Sequence, residues 1–209
     1  MFDHVHVSSH PLVKARLAEL RHKDTPPPLF RRLVRELSQF LFYEASSTLK
    51  VEPIQVHTPL AETQGHRLSE RIGLVPVLRA GLGMVQGIHE MVPDAEVWHL
   101  GLYRDHETLE PVTYYNKLPA EPRIDLAIVL DPMLATGGSA VACLDLLQRW
   151  GVKSVWFIGL IAAPEGIKRL REAHPQVPLF LAALDSHLNY QSYIVPGLGD
   201  AGDRQFATT

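Results

Sequence analysis

Asp131 closes the apolar run Leu126 to Leu130, and a short loop later Thr136, Gly137, Gly138 and Ser139 stand where a helix should begin. A helix N-terminus offers unpaired amides and the positive end of its dipole, which together attract phosphate. Gly137 and Gly138 carry no Cβ, so the backbone can approach an anion closely, and the hydroxyls of Thr136 and Ser139 add donors. The carboxylate of Asp131 repels phosphate, so it suits ribose hydroxyls or the waters of a divalent cation. The lysine of a Walker loop is absent. The same four residues also make an ordinary helix cap, in which Ser or Thr closes the first turn, and TGGS alone does not choose.

Two arginines follow apolar runs in the same way. Arg79 comes after Ile72 to Leu78, on a turn leading to Gly81 and Gly83; Gly87 falls one position too late for a GxGxxG dinucleotide fingerprint. A guanidinium there could clamp a pyrophosphate with paired donors. Arg104 follows Val97 to Tyr103 and, read alone, is a solvated surface arginine. A third station is Tyr193 to Arg204, where Pro196, Gly197, Gly199 and Gly202 mark a loop of demanding backbone geometry, with Asp203 and Arg204 placed to tie it down.

The elements that must position these groups are an α/β set. Apolar runs at 72–78, 97–103, 126–130, 155–163 and 179–184 read as strands, and segments 83–91, 137–150 and 164–173 as helices between them. That alternation predicts a mostly parallel, buried sheet flanked by helices. Residues 10–47 read as a helical N-terminal elaboration. Leu12, Leu17 and Leu20 share one face; after Pro26-Pro27-Pro28, Leu29, Phe30, Leu33, Val34, Leu37, Phe40 and Leu41 make an apolar stripe opposite Arg31, Arg32, Arg35 and Glu36. Residues 99–119 read as a β-hairpin arm around a polar turn. With no linker or repeat, residues 1–209 are expected to form one domain.

Composition narrows the classes. Of 209 residues, 46% are hydrophobic and 21% charged, and the net charge of −3 gives no basic stripe for nucleic acid. The lone Cys143 sits among apolar residues, where a buried inert thiol is expected, and it suits a reducing cytoplasm. The longest apolar stretch, 155–163, is far short of the ~20 residues of a membrane span, and the N-terminus does not read as a signal peptide. The eleven histidines are scattered, with no zinc-protease spacing and only a lone HxH at His4 and His6, so no directly bound metal is expected.

Three strings, in order, resemble the uracil phosphoribosyltransferase family: PVLRAGLGM around Arg79, VLDPMLATGGSA around Asp131, and YIVPGLGDAGDR near the C-terminus. HLGLYRDHETLEPVTYYNKLP is similar to the family's arm, and the resemblance extends from HPLVKARLAELR to the end of the chain. One departure from most phosphoribosyltransferases, Pro132 in place of a second acid, matches the uracil branch; Gln86, where the family more often has an acid, does not.

The resemblance implies a type I phosphoribosyltransferase fold and transfer of a phosphoribosyl group from phosphoribosyl pyrophosphate to uracil. It assigns the phosphoribosyl pyrophosphate to Arg79, Arg104, Asp131, Pro132, Met133, Leu134, Ala135, Thr136, Gly137, Gly138, Ser139 and Asp200. It assigns uracil to Ile194, Gly199, Asp200 and Ala201 within a base-binding segment at 186–206, and catalysis to Arg79, Arg104, Asp131 and Asp200. Mg²⁺ is expected to arrive with the pyrophosphate substrate. The resemblance suggests a homodimer or larger homo-oligomer, and some members of the family respond to GTP, which makes GTP a candidate effector. Rival readings are a transferase for another base, a uracil-sensing regulator with RNA affinity, and a non-catalytic nucleotide-binding module. If Arg79 and Arg104 both stabilise the leaving group, replacing either with Ala lowers the rate on the order of 10²-fold or more. Steady-state kinetics at the wild-type level in both variants would overturn that assignment.

Overall fold

The computed structural model describes residues 3–104, 111–116 and 118–208, with side chains left out at 102–104 and 111–116. The chain opens with β1 (Val5–Val7), α1 (Pro11–Arg21) and α2 (Pro27–Ser46), then an antiparallel hairpin of β2 (Val51–His57) and β3 (Glu62–Leu68). There follow β4 (Ile72–Pro76), α3 (Leu82–Met91), β5 (Glu96–Val97) and a second antiparallel hairpin of β6 (Leu100–Arg104) and β7 (Pro111–Asn116). The remainder is β8 (Leu126–Leu130), β9 (Met133–Leu134), α4 (Gly138–Trp150), β10 (Ser154–Ala162), α5 (Pro164–Ala173), β11 (Leu179–Leu184), the short pair β12 (His187–Leu188) and β13 (Ile194–Val195), and α6 (Ala201–Phe206).

The central sheet has seven strands in the order β1-β11-β10-β8-β4-β5, with β9 also on β10. Every pairing in it is parallel. β4 and β8 are buried at all their positions, as continuous apolar runs in a sheet covered on both faces should be. Side chains alternate between faces. Leu74, Leu126, Ile128 and Leu130 pack toward α1, α2 and α3; Val75, Ala127 and Val129 pack toward α4 and α5.

Several expectations are corrected. The inward face of α1 is Val13, Leu17 and Leu20, spaced by four and three; Leu12 is half exposed. The apolar run 97–103 does not form one strand, because β5 belongs to the central sheet and β6 leaves it for the arm. The arm's two strands are antiparallel as expected, and its turn lies outside the described residues. Among the described residues no helix is long and apolar enough to cross a membrane. Cys143 is fully buried, and burial pushes its thiol pKa well up, which leaves it unreactive.

From β4 the chain steps to β5 on one side and then to β8 on the other. This reversal opens a crevice beyond the carboxyl ends of β4 and β8, where ligands of open α/β sheets bind. Because α2 and β4 share a core, Leu33→Ala and Leu74→Ala are each expected to destabilise by roughly 2–5 kcal/mol and to leave one unfolding transition. Denaturant titration followed by two probes checks this; two separated transitions would mean that the helical part folds alone.

Candidate active site

β4 and β8 deliver the first two loops side by side. Val77 N–H donates to the Leu130 carbonyl (2.9 Å), and the chain turns so that Gly81 N–H reaches the Val77 carbonyl (2.9 Å). The Leu78–Arg79 peptide within this turn is cis. Arg79 emerges half exposed, and its Nη2 lies 3.1 Å from Asp203 Oδ1. Its Nη1 donates to Thr208 Oγ1 (3.3 Å), and that hydroxyl donates to the same carboxylate (2.8 Å).

β8 ends at Leu130, and Asp131 Oδ1 accepts the Met133 N–H (3.2 Å). The loop is braced by β9, whose Met133 and Leu134 pair with Ile161 and Ala162 of β10. Gly166 of α5 lies against it too, leaving no room for a Cβ beside the Leu134 and Ala135 carbonyls. Burial pushes the Asp131 carboxyl up to about 7, opposed by the Met133 amide.

The competing reading of TGGS as a side-chain cap is set aside here. The N-cap of α4 is Gly137, in the left-handed region at φ +79°, so neither Ser nor Thr occupies the cap position. The first-turn amides of a helix have no partner within the helix, and here Thr136 and Ser139 flank them. Arg169 of α5 lies against Gly138, with Nη1 3.4 Å from where a Cβ would stand, and no carboxylate pairs with it among the described residues. A cation beside a helix N-terminus favours an anion there.

The third loop returns from β13, where Ile194 is buried, through a cis Val195–Pro196 peptide into Gly197. Gly197 has φ +66°, and a Cβ there would fall 2.0 Å from the Ile194 carbonyl oxygen, so only glycine fits. Gly199 also has positive φ, at +77°. Asp200 caps α6 by accepting the Asp203 N–H (2.9 Å), and Ala201 is fully buried. Arg204 donates to the Leu198 carbonyl (2.7 Å) and the His22 carbonyl (2.6 Å), with its guanidinium over the Phe30 ring.

These contacts join the three loops. Gly81 is packed against the Leu130 carbonyl, and Gln205 of α6 donates to the Ala80 carbonyl (2.9 Å). Arg79, Asp200 and Asp203 thereby meet at α6, beside the loop that Asp131 begins. Arg104 ends β6, but its side chain lies outside the described residues. Sequence reasoning missed Arg21, Asp185, Arg169 and Gln205. Arg21 is a basic residue in a helix's last turn and Asp185 an acid just after a strand, and neither pattern stands out before the fold brings them to Gly197.

A parallel sheet whose switch-point crevice receives an arginine turn, an aspartate-led phosphate loop and a glycine loop defines a phosphoribosyltransferase of type I architecture. Hypoxanthine phosphoribosyltransferase from Staphylococcus aureus shares that fold, at TM-score 0.53 and 11% identity over 78% of this chain and 83% of its own. The family model for uracil phosphoribosyltransferase matches residues 7–208. A relative from Roseiflexus castenholzii with that name is 63% identical over 98% of each chain. The solved structure of the AQ2163 protein from Aquifex aeolicus superposes with TM-score 0.92 at 39% identity, covering 98% of this chain and 99% of its own. The chain belongs to the uracil phosphoribosyltransferase family.

The raised Asp131 pKa has a stability signature. With a folded value of about 7 against the ordinary 3.8, the unfolded chain ionises first as pH rises from 4 to 7. The substrate-free protein therefore loses stability over that window through this group, and the loss is complete above it. Asp131→Asn should gain stability relative to wild type between pH 4 and pH 8, by on the order of 1 kcal/mol or more. Denaturant melts across the range check it, and a pH-independent difference would contradict it.

Proposed function

We infer that this chain transfers the 5-phosphoribosyl group from phosphoribosyl pyrophosphate to uracil, forming UMP and pyrophosphate in pyrimidine salvage. The observation that carries this reading is the junction at α6. Asp203 holds the Arg79 guanidinium, and Asp200 starts the helix directly after the glycine loop, so leaving-group and base stations share one short element. Family membership supplies the substrates' names.

The chemistry assigned to the residues follows. Amides at 136–139 hold the 5′-phosphate, assisted by the Thr136 and Ser139 hydroxyls, while Pro132, Met133, Leu134 and Ala135 shape the loop beneath the ribose. Asp131 faces the ribose hydroxyls. Arg79 and Arg104 take up charge on the departing pyrophosphate. Uracil presents an acceptor–donor–acceptor edge, which peptide groups at Ile194, Gly199, Asp200 and Ala201 can read without side chains. As the bond from the anomeric carbon to pyrophosphate breaks, uracil N1 bonds to that carbon and gives up its proton to solvent.

Mg²⁺ fits this donor set as a substrate-borne ion. Asp131 is the loop's one acid, and Pro132 follows where a second carboxylate could have stood. When bound, the ion would neutralise pyrophosphate charge. Assembly as a homodimer or larger oligomer is supported by apolar residues exposed on the β2–β3 hairpin, Val51, Leu60 and Leu68. A response to GTP rests on the family resemblance alone, and a cytoplasmic setting on the lone buried Cys143. We take residues 1–209 to work as one domain.

The test is UMP formation from uracil and phosphoribosyl pyrophosphate with Mg²⁺, run against cytosine, thymine and hypoxanthine. Cytosine should be poorer by roughly 10⁴-fold, because an amino group in place of a carbonyl leaves buried partners unpaired. Gly199→Val should lose uracil turnover while melting cooperatively, and Ile194→Val should keep selectivity. Chelation should stop the reaction, while calorimetry without the pyrophosphate substrate should find Mg²⁺ binding weak. Equal use of cytosine and uracil, or tight Mg²⁺ binding by the free protein, would overturn the respective assignments.

A further inference from the structure

We propose that Arg21 and Asp185 are positioning residues for base selection, acting together as a clamp on the peptide groups of Gly197. The inference rests on the reading of 194–201 as the base loop and deepens it.

The clamp holds both polar groups of one residue. Asp185 Oδ2 accepts the Gly197 N–H (2.9 Å), and Arg21 Nη1 donates to the Gly197 carbonyl (2.7 Å). The two side chains are joined to each other by paired bonds, Nη1 to Oδ2 at 2.8 Å and Nη2 to Oδ1 at 2.5 Å. Asp185 is nearly inaccessible, with 4% of its side chain exposed against 21% for Arg21.

Each partner is fixed to a different layer. Asp185 N–H donates to the Ala162 carbonyl (2.8 Å), which ties the carboxylate to the end of β10 in the central sheet. Arg21 ends α1, whose Val13, Leu17 and Leu20 are locked into the core. The clamp therefore sets the height and tilt of the loop at Gly197, just before Gly199 to Ala201.

A buried ion pair is a poor device for stability alone, since an apolar pair of like volume is often as good. Its directional bonds are suited to holding geometry. Selection against cytosine depends on such geometry, because a peptide edge rejects a mismatched base only if it cannot shift to satisfy it. A loop released at Gly197 could adapt. Uracil would then bind less well and cytosine would be excluded less strictly.

The experiment uses the full chain with Arg21→Lys and Asp185→Asn. Arg21→Lys keeps the charge but loses the two-pronged geometry; Asp185→Asn keeps the shape but loses an acceptor. The expected result is a KM for uracil raised on the order of 10-fold, a uracil-to-cytosine preference reduced by a similar factor, and an unchanged KM for phosphoribosyl pyrophosphate. A merely structural role would lower the melting temperature and the active fraction equally for both bases, leaving KM for uracil and the preference as in wild type. That outcome in either folded variant overturns the proposal, and Arg21→Lys alone decides it where Asp185→Asn fails to fold. Gly199→Val in the same panel separates the two readings. Its loss of uracil use beside wild-type behaviour in the clamp variants sinks the clamp only, whereas its retention of uracil use sinks the base-loop reading itself.

Discussion

The Val77 amide bonded to the Leu130 carbonyl is the last rung between β4 and β8, and the Arg79 turn and the Asp131 loop both take their position from it. Below that rung the strands run in register from Ile72 opposite Leu126 to Pro76 opposite Leu130, buried throughout. Above it the chains diverge, one into the Arg79 turn and one into the Asp131 loop. Close packing of Gly81 on the Leu130 carbonyl keeps the turn from drifting away from the loop. A ligand that needs a cation from one strand and amides from the next finds both at a separation fixed by sheet geometry.

The glycine loop is held from two sides, by Asp185 just past β11 and by the helical layer. Arg204 reaches the His22 carbonyl and lies over Phe30, a fully buried residue of α2. Arg21 reaches the Gly197 carbonyl from the end of α1. The N-terminal helices are therefore more than an added cover for the sheet, since they hold the segment that comes last in the chain.

What the sequence disclosed follows the range of the interactions concerned. The Asp131 loop, the Arg79 turn and the glycine loop are each set by consecutive residues, and each could be located from its own string. The buried strands were visible as apolar runs, because a sheet covered on both faces demands them. The β2–β3 hairpin was not, since β2 alternates only between exposed and half-exposed, β3 is exposed at all but one position, and neither leaves a core face to read. Leu12 and Val13 are both apolar, and periodicity alone put the wrong one inside. The Arg21–Asp185 pair spans 164 residues, and nothing local in either neighbourhood announces the other. The N-cap of α4 also waited on backbone geometry, because only the left-handed φ showed that Gly137, not Thr136 or Ser139, stands at that position.

Arg79 already has a counter-ion in Asp203 before any substrate arrives. Both side chains are substantially open to water, so the attachment is weak, within the roughly 0–1 kcal/mol typical of exposed pairs. Charge in the resting crevice is thus partly neutralised, and the guanidinium is held in place by a partner it can give up at little expense. A stray monovalent anion gains little by displacing a carboxylate that is already tethered. If Arg79 takes the pyrophosphate as proposed, a ligand bound at several points gains far more, and the exchange would discriminate by valence.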